Sequence, residues 1–351
     1  MIVIGADPHK QTHTFAAVDA ATGEQLGCET VKAASAGHER ALAWGRELGG
    51  ERVWAVEDCR HVSGRLERFL VGRGERVVRV APKLMAGARQ SARERGKSDP
   101  IDALAVARAA LRERPERLPG AYLDERALEI RLLVDHHDHL VGDRSDEQRR
   151  LRWHLHDLYG SELEIPAGAL DRSKWLEKLA RRLARGEQPA RVRIARELVR
   201  SIRERTRRIR ELEREIAGLV SDYAPQLLDE PGCGPLTAAK LIGELAGAER
   251  FKTDAQLARS AGVAPVPVSS GRRDRHRLDR GGNRQLNLAF HRIAVTKGRI
   301  CPQTAAYLTR KQGEGKTRME ALRCLKRHLA RRIHHLMTDH ANTPAQPLAL
   351  T

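Results

Sequence analysis

The first 112 residues constrain the fold more than any other part of the chain, because apolar runs of two kinds alternate along them. "MIVIGAD" reads as a strand, and "THTFAAVDAATGEQLGCETV" as two strands around a turn at Thr22–Gly23. "GHERALAWGRELG" has helical periodicity, "RVWAVED" is a strand, "SGRLERFLVGRG" a helix and "ERVVRVA" a strand. "PKLMAGARQSARERG" then leads into a helix that opens at "KSDPIDALAVARAAL" (97–111). The predicted order is β-β-β-α-β-α-β-α. A hairpin followed by βα crossovers predicts a mixed sheet with helices on its faces.

From about residue 120 the pattern becomes helical, so the fold class is α/β plus α. "ARVRIARELVRSIRERTRRIRELEREIAGLV" has no proline after Pro189. Ile202, Ile209 and Ile216 repeat every seven residues, and Leu198, Leu212 and Leu219 supply a second seam that Arg205 interrupts. This predicts a coiled coil or a long helical hairpin. A third region starts at "DEPGCGPLTAAKLIGELAG", where a glycine-rich turn opens a helix. Such a turn either presents backbone N–H groups to a phosphate or simply packs. Then Pro265 and Pro267 make an extended lead-in to Ser269-Ser270-Gly271, and a basic helix covers 316–337. The expected division is 1–120, 121–225 and 226–337, followed by a disordered tail over 338–351.

Charge points to the partner. Lys+Arg 64 against Asp+Glu 46 leaves +18, and six arginines (272, 273, 275, 277, 280 and 284) crowd thirteen residues with two aspartates. Cationic side chains release counterions from phosphates, so a nucleic acid follows. Aromatic residues make up only 3%, which argues against a base-stacking platform and for backbone contacts. No long apolar run spans a membrane. The first residues carry Asp7 and no basic leader, so they read as a strand and not as a signal peptide. Five scattered cysteines without a C-x-x-C pair suggest neither disulfides nor a zinc ribbon and fit a reducing cytoplasm.

The chemistry-bearing residues are acids. Asp7 ends the first predicted strand and Glu57 the fourth, with Asp58 beside it. In "KSDPIDA" Asp99 would cap the helix, Pro100 would take the first helical position and Asp102 would close a capping box. The same two aspartates, three apart, share a helix face and can hold a divalent cation. If strands one and four are neighbours and this helix packs across them, the four acids converge as a Mg²⁺ site for phosphodiester chemistry requires. "DHHDHLVGD" offers Asp135 and His139 on one helix face, but the spacing matches no complete metal site.

The five stretches "GADPHK", "AVEDC", "KSDPIDA", "PGCGPLTAAKLIGE" and "VSSGRRDRHRLDRGGNRQLN" resemble, in this order and over nearly the full length, the insertion-sequence transposase family one-ten, related to the Piv/MooV DNA invertases. The resemblance implies a RuvC/RNase H-like N-terminal domain, a central helical region and a mainly helical C-terminal transposase domain. It puts a DEDD tetrad on Asp7, Glu57, Asp99 and Asp102 with Mg²⁺, and a nucleophilic serine at Ser270 in preference to Ser269. It further implies a recombinase that excises and inserts a mobile element through a phosphoserine link. A bridge RNA would guide it to donor and target DNA, and a dimer to tetramer would work in a bacterial cytoplasm near the nucleoid. Arg272, Arg273, Arg275, Arg277, Arg280 and Arg284 would then clamp the nucleic-acid backbone. The competing expectation is a metal-dependent, structure-specific nuclease with the same tetrad and water as nucleophile.

Overall fold

A computed structural model of the chain describes residues 1–58, 60–82, 84–85, 98–121, 124–247, 250–270 and 273–338. Two compact units divide it: Met1–Glu125 with Asp229–Gly232 and Glu244–Thr351, and Arg126–Leu228 with Cys233–Gly243. The expected tail lies outside the described residues from 339 onward. Among the described residues no helix is long and apolar enough to cross a membrane.

In the first unit, β1 (Ile2–Pro8), β2 (Thr12–Asp19), β3 (Gln25–Lys32), β4 (Arg52–Glu57) and β5 (Val77–Val80) form one sheet in the order β3-β2-β1-β4-β5. The first three pair antiparallel; β4 pairs parallel with β1, and β5 parallel with β4. The hairpin between β2 and β3 turns at Gly23, whose φ of +74° favours glycine. Asp19 holds that turn by accepting the Ala21 and Thr22 N–H groups at 2.7 and 3.0 Å. The order and directions are consistent with the RuvC/RNase H-like fold.

Helices cover both faces. On one, Ile2, Ile4 and Ala6 pack with Leu42 of α1 (Ser35–Glu47) and with Leu66 and Leu70 of α2 (Arg60–Gly72). On the other, Val3, Val53, Val78 and Val80 meet the alanine-rich side of α3 (Asp99–Glu113). Every residue of β1 is therefore buried, as a central strand covered on both faces must be. Contact with α3 is closest at Gly5, where a Cβ would lie 2.2 Å from the Ala103 carbonyl oxygen and 2.4 Å from the Ala107 nitrogen.

The second unit holds α4 (Glu125–Tyr159), α5 (Ser173–Leu183) and α6 (Ala190–Tyr223). Leu151 and Leu155 pack with Val192, Ala195, Val199 and Ile202. Ile202, Ile209 and Ile216 are buried as the seven-residue repeat requires, but the second seam runs differently. Val199, Thr206 and Val220 are buried beside Leu212, while Leu198 and Leu219 are only half-buried. A helix of 3.6 residues per turn drifts against a strict heptad, and the buried row moves with it. Arg205, which seemed to break the seam, stands at its edge and reaches Asp143 and Glu147 of α4, each at 3.1 Å.

The first unit continues through α8 (Asp254–Ser260), the hairpin of β6 (Val266–Ser270) and β7 (Arg273–Arg277), α9 (Arg284–Ile300), α10 (Pro302–Gly313) and α11 (Arg318–Thr338). These follow α7 (Pro235–Leu245). Buried Lys297 of α9 pairs with buried Glu230, which Arg332 of α11 also approaches at 3.4 Å. The glycine-rich turn before α7 packs: at Gly232 a Cβ would stand 2.9 Å from the Ile293 carbonyl and the Lys297 nitrogen.

Two outcomes follow. Gly5→Val drives α3 away from β1; overpacking of this kind costs about 3 kcal/mol, read by chemical denaturation. His13 and His38 are buried and stacked, with ring centroids 5.3 Å apart. Burial, then the neighbouring His38, pushes His13 down to about 4, and burial lowers His38 as well. A lowered histidine contributes stability above its unfolded value and loses it as pH falls through the folded one. The unfolding temperature therefore drops between about pH 6.5 and 4, and His13→Leu flattens that part of the curve.

Candidate functional site

The close approach at Gly5 sets the site. Asp7 follows two residues on, about 6.6 Å along the strand. At about 1.5 Å per helical residue, that distance spans four or five residues of α3. Because α3 runs against β1, those residues lead back from Ala103 and Ala107 to the helix N-terminus. Asp99 and Asp102 are there. Asp7 is 4% exposed and Asp102 6%, both within reach of each other's charge. Asp99 is half-exposed.

Register places the fourth acid. Val3, Gly5 and Ala6 of β1 pair with Val53, Ala55 and Val56 of β4, so the next step of the ladder sets Glu57 beside Asp7. Alternation puts Glu57 on the α3 side with Val53 and Ala55. Asp58 leaves the strand, donating its N–H to the Val80 carbonyl at 3.0 Å, and its charge is felt by Arg79. Arg79 itself is held by Glu67 of α2, with Nη2 at 2.6 Å. The two neighbouring acids thus belong to different surroundings.

The N-cap falls one residue before the expected one. Ser98, in extended conformation at φ −149° and ψ 153°, precedes the helix; Asp99 is its first residue, and Pro100 its second. The Ser98 side chain makes no capping bond, and Asp102 is buried. Proline's fixed φ suits the first turn at either position.

His9 was not singled out from sequence. Its Nε2 lies 3.1 Å from Asp7 Oδ2 and 3.5 Å from Asp99 Oδ1, with half of the ring side chain exposed. Among the described residues, Asp7, His9 and Asp99 form the one group of three such ligands whose donor atoms all fall within 4.8 Å of one another. The only signal was its spacing in "GADPHK", two residues past Asp7. Asp135, by contrast, accepts from Lys240 at 2.9 Å, and Asp138 contacts the same ammonium at 2.8 Å.

Burial raises the Asp7 carboxyl above its ordinary value; His9 opposes this, while the Asp102 and Asp99 charges add to it. Converging hard oxygen donors that repel one another are what a divalent cation neutralises. The residues present therefore fit such an ion.

The serine stretch is a separate two-stranded sheet. Its register pairs Ser270 with Arg273, Val268 with Arg275 and Val266 with Arg277, while Ser269 pairs with Asp274. Directly opposed residues share a face, so Ser270 has the parity of three arginines and Ser269 that of an aspartate. Arg272 lies outside the described residues. Arg277, Arg280 and Arg284 are exposed.

A raised carboxyl pKa means that, at neutral pH, the ionised Asp7 costs the fold stability. Asp7→Asn is therefore expected to raise the unfolding temperature in a chelator and to abolish the increase that divalent cations give the native protein. A lowered temperature in chelator would show that the acid is structural.

A DEDD transposase model of the IS110 type matches residues 4–159, and a transposase model of the IS116/IS110/IS902 family matches residues 224–309. The insertion element IS116 44.8 kDa protein of Streptomyces clavuligerus is 29% identical, over 100% of this chain and 98% of that protein. The IS110 43.6 kDa protein of Streptomyces coelicolor is 35% identical over 33% of this chain and 29% of its own. The IS900 42 kDa protein of Mycobacterium paratuberculosis is 25% identical over 84% of each. A solved structure titled T. thermophilus RuvC in complex with Holliday junction substrate aligns with 19% identity and a TM-score of 0.28, covering 34% of this chain and 99% of that one. The DEDD acids that name the first model imply use of a divalent metal. With both family models matched in chain order and a relative aligned from end to end, the chain belongs to the IS110 family and is a DNA transposase.

Proposed function

We propose that this transposase cuts and rejoins DNA through a phosphoserine link made by Ser270, with Asp7, Glu57, Asp99 and Asp102 holding Mg²⁺. The convergence of Asp7, Asp99 and Asp102 beneath α3 carries the reading. Mg²⁺, when bound, supplies positive charge to the transferring phosphate and favours the alkoxide form of the attacking oxygen. Asp7 and Asp102 are buried and so offer fixed donors, while Asp99 and His9 stand at the open edge. The Ser270 oxygen bonds to phosphorus as one sugar–phosphate P–O bond breaks, and the hydroxyl proton passes to the departing sugar oxygen. The reverse step joins a new strand, so the bond energy is kept.

No carboxylate pair adjoins Ser270 in the sequence, so activation of a poor nucleophile has to come from the tetrad. Register parity with Arg273, Arg275 and Arg277 favours Ser270 over Ser269, since guanidinium groups suit the charge of a five-coordinate phosphate. Those arginines, with Arg272, Arg280 and Arg284, are assigned to the DNA and RNA backbone. A bridge RNA pairing with donor and target DNA, and a dimer to tetramer in which tetrad and serine come from different protomers, complete the proposal. The parts 1–120, 121–225 and 226–337 then serve as metal, helical and serine modules of a protein acting at the bacterial nucleoid.

The test mixes wild type, Ser270→Ala and Asp102→Ala with Mg²⁺, the element's junction DNA and RNA transcribed from its flanks. Wild type is expected to give a Mg²⁺- and RNA-dependent protein–DNA adduct on a denaturing gel, and both variants none. Free cleaved DNA that Ser270→Ala leaves unchanged would assign the chemistry to a water-using nuclease.

A further inference from the structure

A cavity of about 710 Å³ opens in the C-terminal part of the first unit, and the chemistry above leaves it unused. Both legs of the serine hairpin border it, through Gly262–Pro265 before β6 and His276–Asp279 at and beyond the end of β7. The rest of its lining comes mostly from α10 and α11.

Two buried polar side chains line the cavity without the partners they need. Lys326 is 5% exposed, and its ammonium donates to Asn287 Oδ1 at 2.8 Å. No carboxylate pairs with it among the described residues. Tyr307 is 3% exposed, and its hydroxyl has no hydrogen-bond partner among the described residues. Buried polar groups are ordinarily satisfied, and an unsatisfied one costs free energy. The three acids of the lining are already engaged: Glu314 takes Lys311 at 3.1 Å, Glu320 takes Arg323 at 3.6 Å, and Asp279 accepts the Gly281 N–H at 2.8 Å. Arg327 is likewise committed, to Asp254 at 2.9 Å. Arg277 and Lys316 form no ion pair among the described residues. Burial, with Arg323 adding to it, pushes the Lys326 ammonium down to about 8.

The missing partner is therefore an anion that also accepts from a phenol. The volume is in the range of pockets that hold a small organic ligand. Val263, Pro265, Leu278 and the Tyr307 ring give an apolar flank beside the cations. A phosphate joined to a flat heterocycle has both halves of that chemistry. A base stacked and paired in a duplex cannot enter such a pocket, but an unpaired one can.

We propose that this cavity seats one nucleotide of an unpaired nucleic-acid segment, its phosphate against Lys326 and Tyr307 and its base on the apolar flank. The inference rests on the chain acting on DNA. A seated nucleotide touches both legs of the hairpin that carries Ser270, so strand capture and the pose of the nucleophile are linked.

The test is calorimetric titration of the full chain with dUMP and UMP, in salt high enough to screen exposed arginines. Deoxyuridine and inorganic phosphate serve as controls lacking one half each. Both nucleotides are expected to bind one to one, more tightly than either control; the ratio of dUMP to UMP affinity assigns the strand as DNA or RNA. Lys326→Gln is expected to weaken binding about tenfold, as loss of a charge-assisted contact does. Tyr307→Phe is expected to weaken it about threefold while raising the unfolding temperature, because it removes a buried unsatisfied hydroxyl. Absent saturable binding, or equal binding in all three proteins, overturns the pocket. If wild type then still forms the adduct on junction DNA, the pocket falls alone and the phosphoserine reading stands.

Discussion

The approach of α3 to β1 at Gly5 is the contact on which the site depends. With no side chain at that point, helix backbone and strand backbone meet directly, and the alanines at 103 and 107 leave the helix smooth enough to lie there. The antiparallel direction of α3 then brings its first turn to the end of β1. Asp99 and Asp102 arrive beside Asp7 as a consequence of packing. A larger residue at position 5 would separate the acids even though none of them had changed. The core of valines and alanines around this contact thus holds carboxylates together against their own repulsion.

The two kinds of charge in this chain are kept apart. Asp7 and Asp102 sit where sheet and helix exclude water, and burial works against the ionisation of Asp7. Arg273, Arg275 and Arg277 lie on a ribbon of two strands that, among the described residues, pairs with no other strand. A metal site requires concentrated negative charge, whereas a nucleic-acid backbone requires positive charge. Mixing them would let arginine and aspartate neutralise each other. Placing them in separate elements of one unit keeps both available, and the excess of +18 leaves the surface attractive to phosphates.

Much of this was legible in the sequence, and the exceptions have physical reasons. The order of eight elements in the first unit could be read because β1, β2, β4 and β5 are buried and apolar, and the mostly exposed β3 is announced by the turn before it. Asp7 and Glu57 could be placed because they end such strands. The hairpin of β6 and β7 was missed because "RDRHR" has no apolar alternation; pairing register, not burial, organises it. The role of Gly5 was invisible because it depends on which helix lands on it. His9 went unnoticed because a lone histidine beside a turn carries no pattern, although its ring lies between two of the acids. The cap at Asp99 was displaced by one residue because Ser98, not Asp99, takes the extended conformation. The buried pair of Glu230 and Lys297 joins residues far apart in the chain, which no local spacing announces.

The central claim is that sheet and helix packing builds a metal site from Asp7 and the first turn of α3. Crystals grown with Mn²⁺ in place of Mg²⁺, measured at the manganese absorption edge, would locate the ion by its anomalous scattering. The expected result is a peak at about 2.1 Å from carboxylate oxygens of Asp7 and at least one of Asp99 and Asp102, absent in Asp7→Asn crystals. A well-ordered site with no peak, or a peak held by other residues alone, would contradict it.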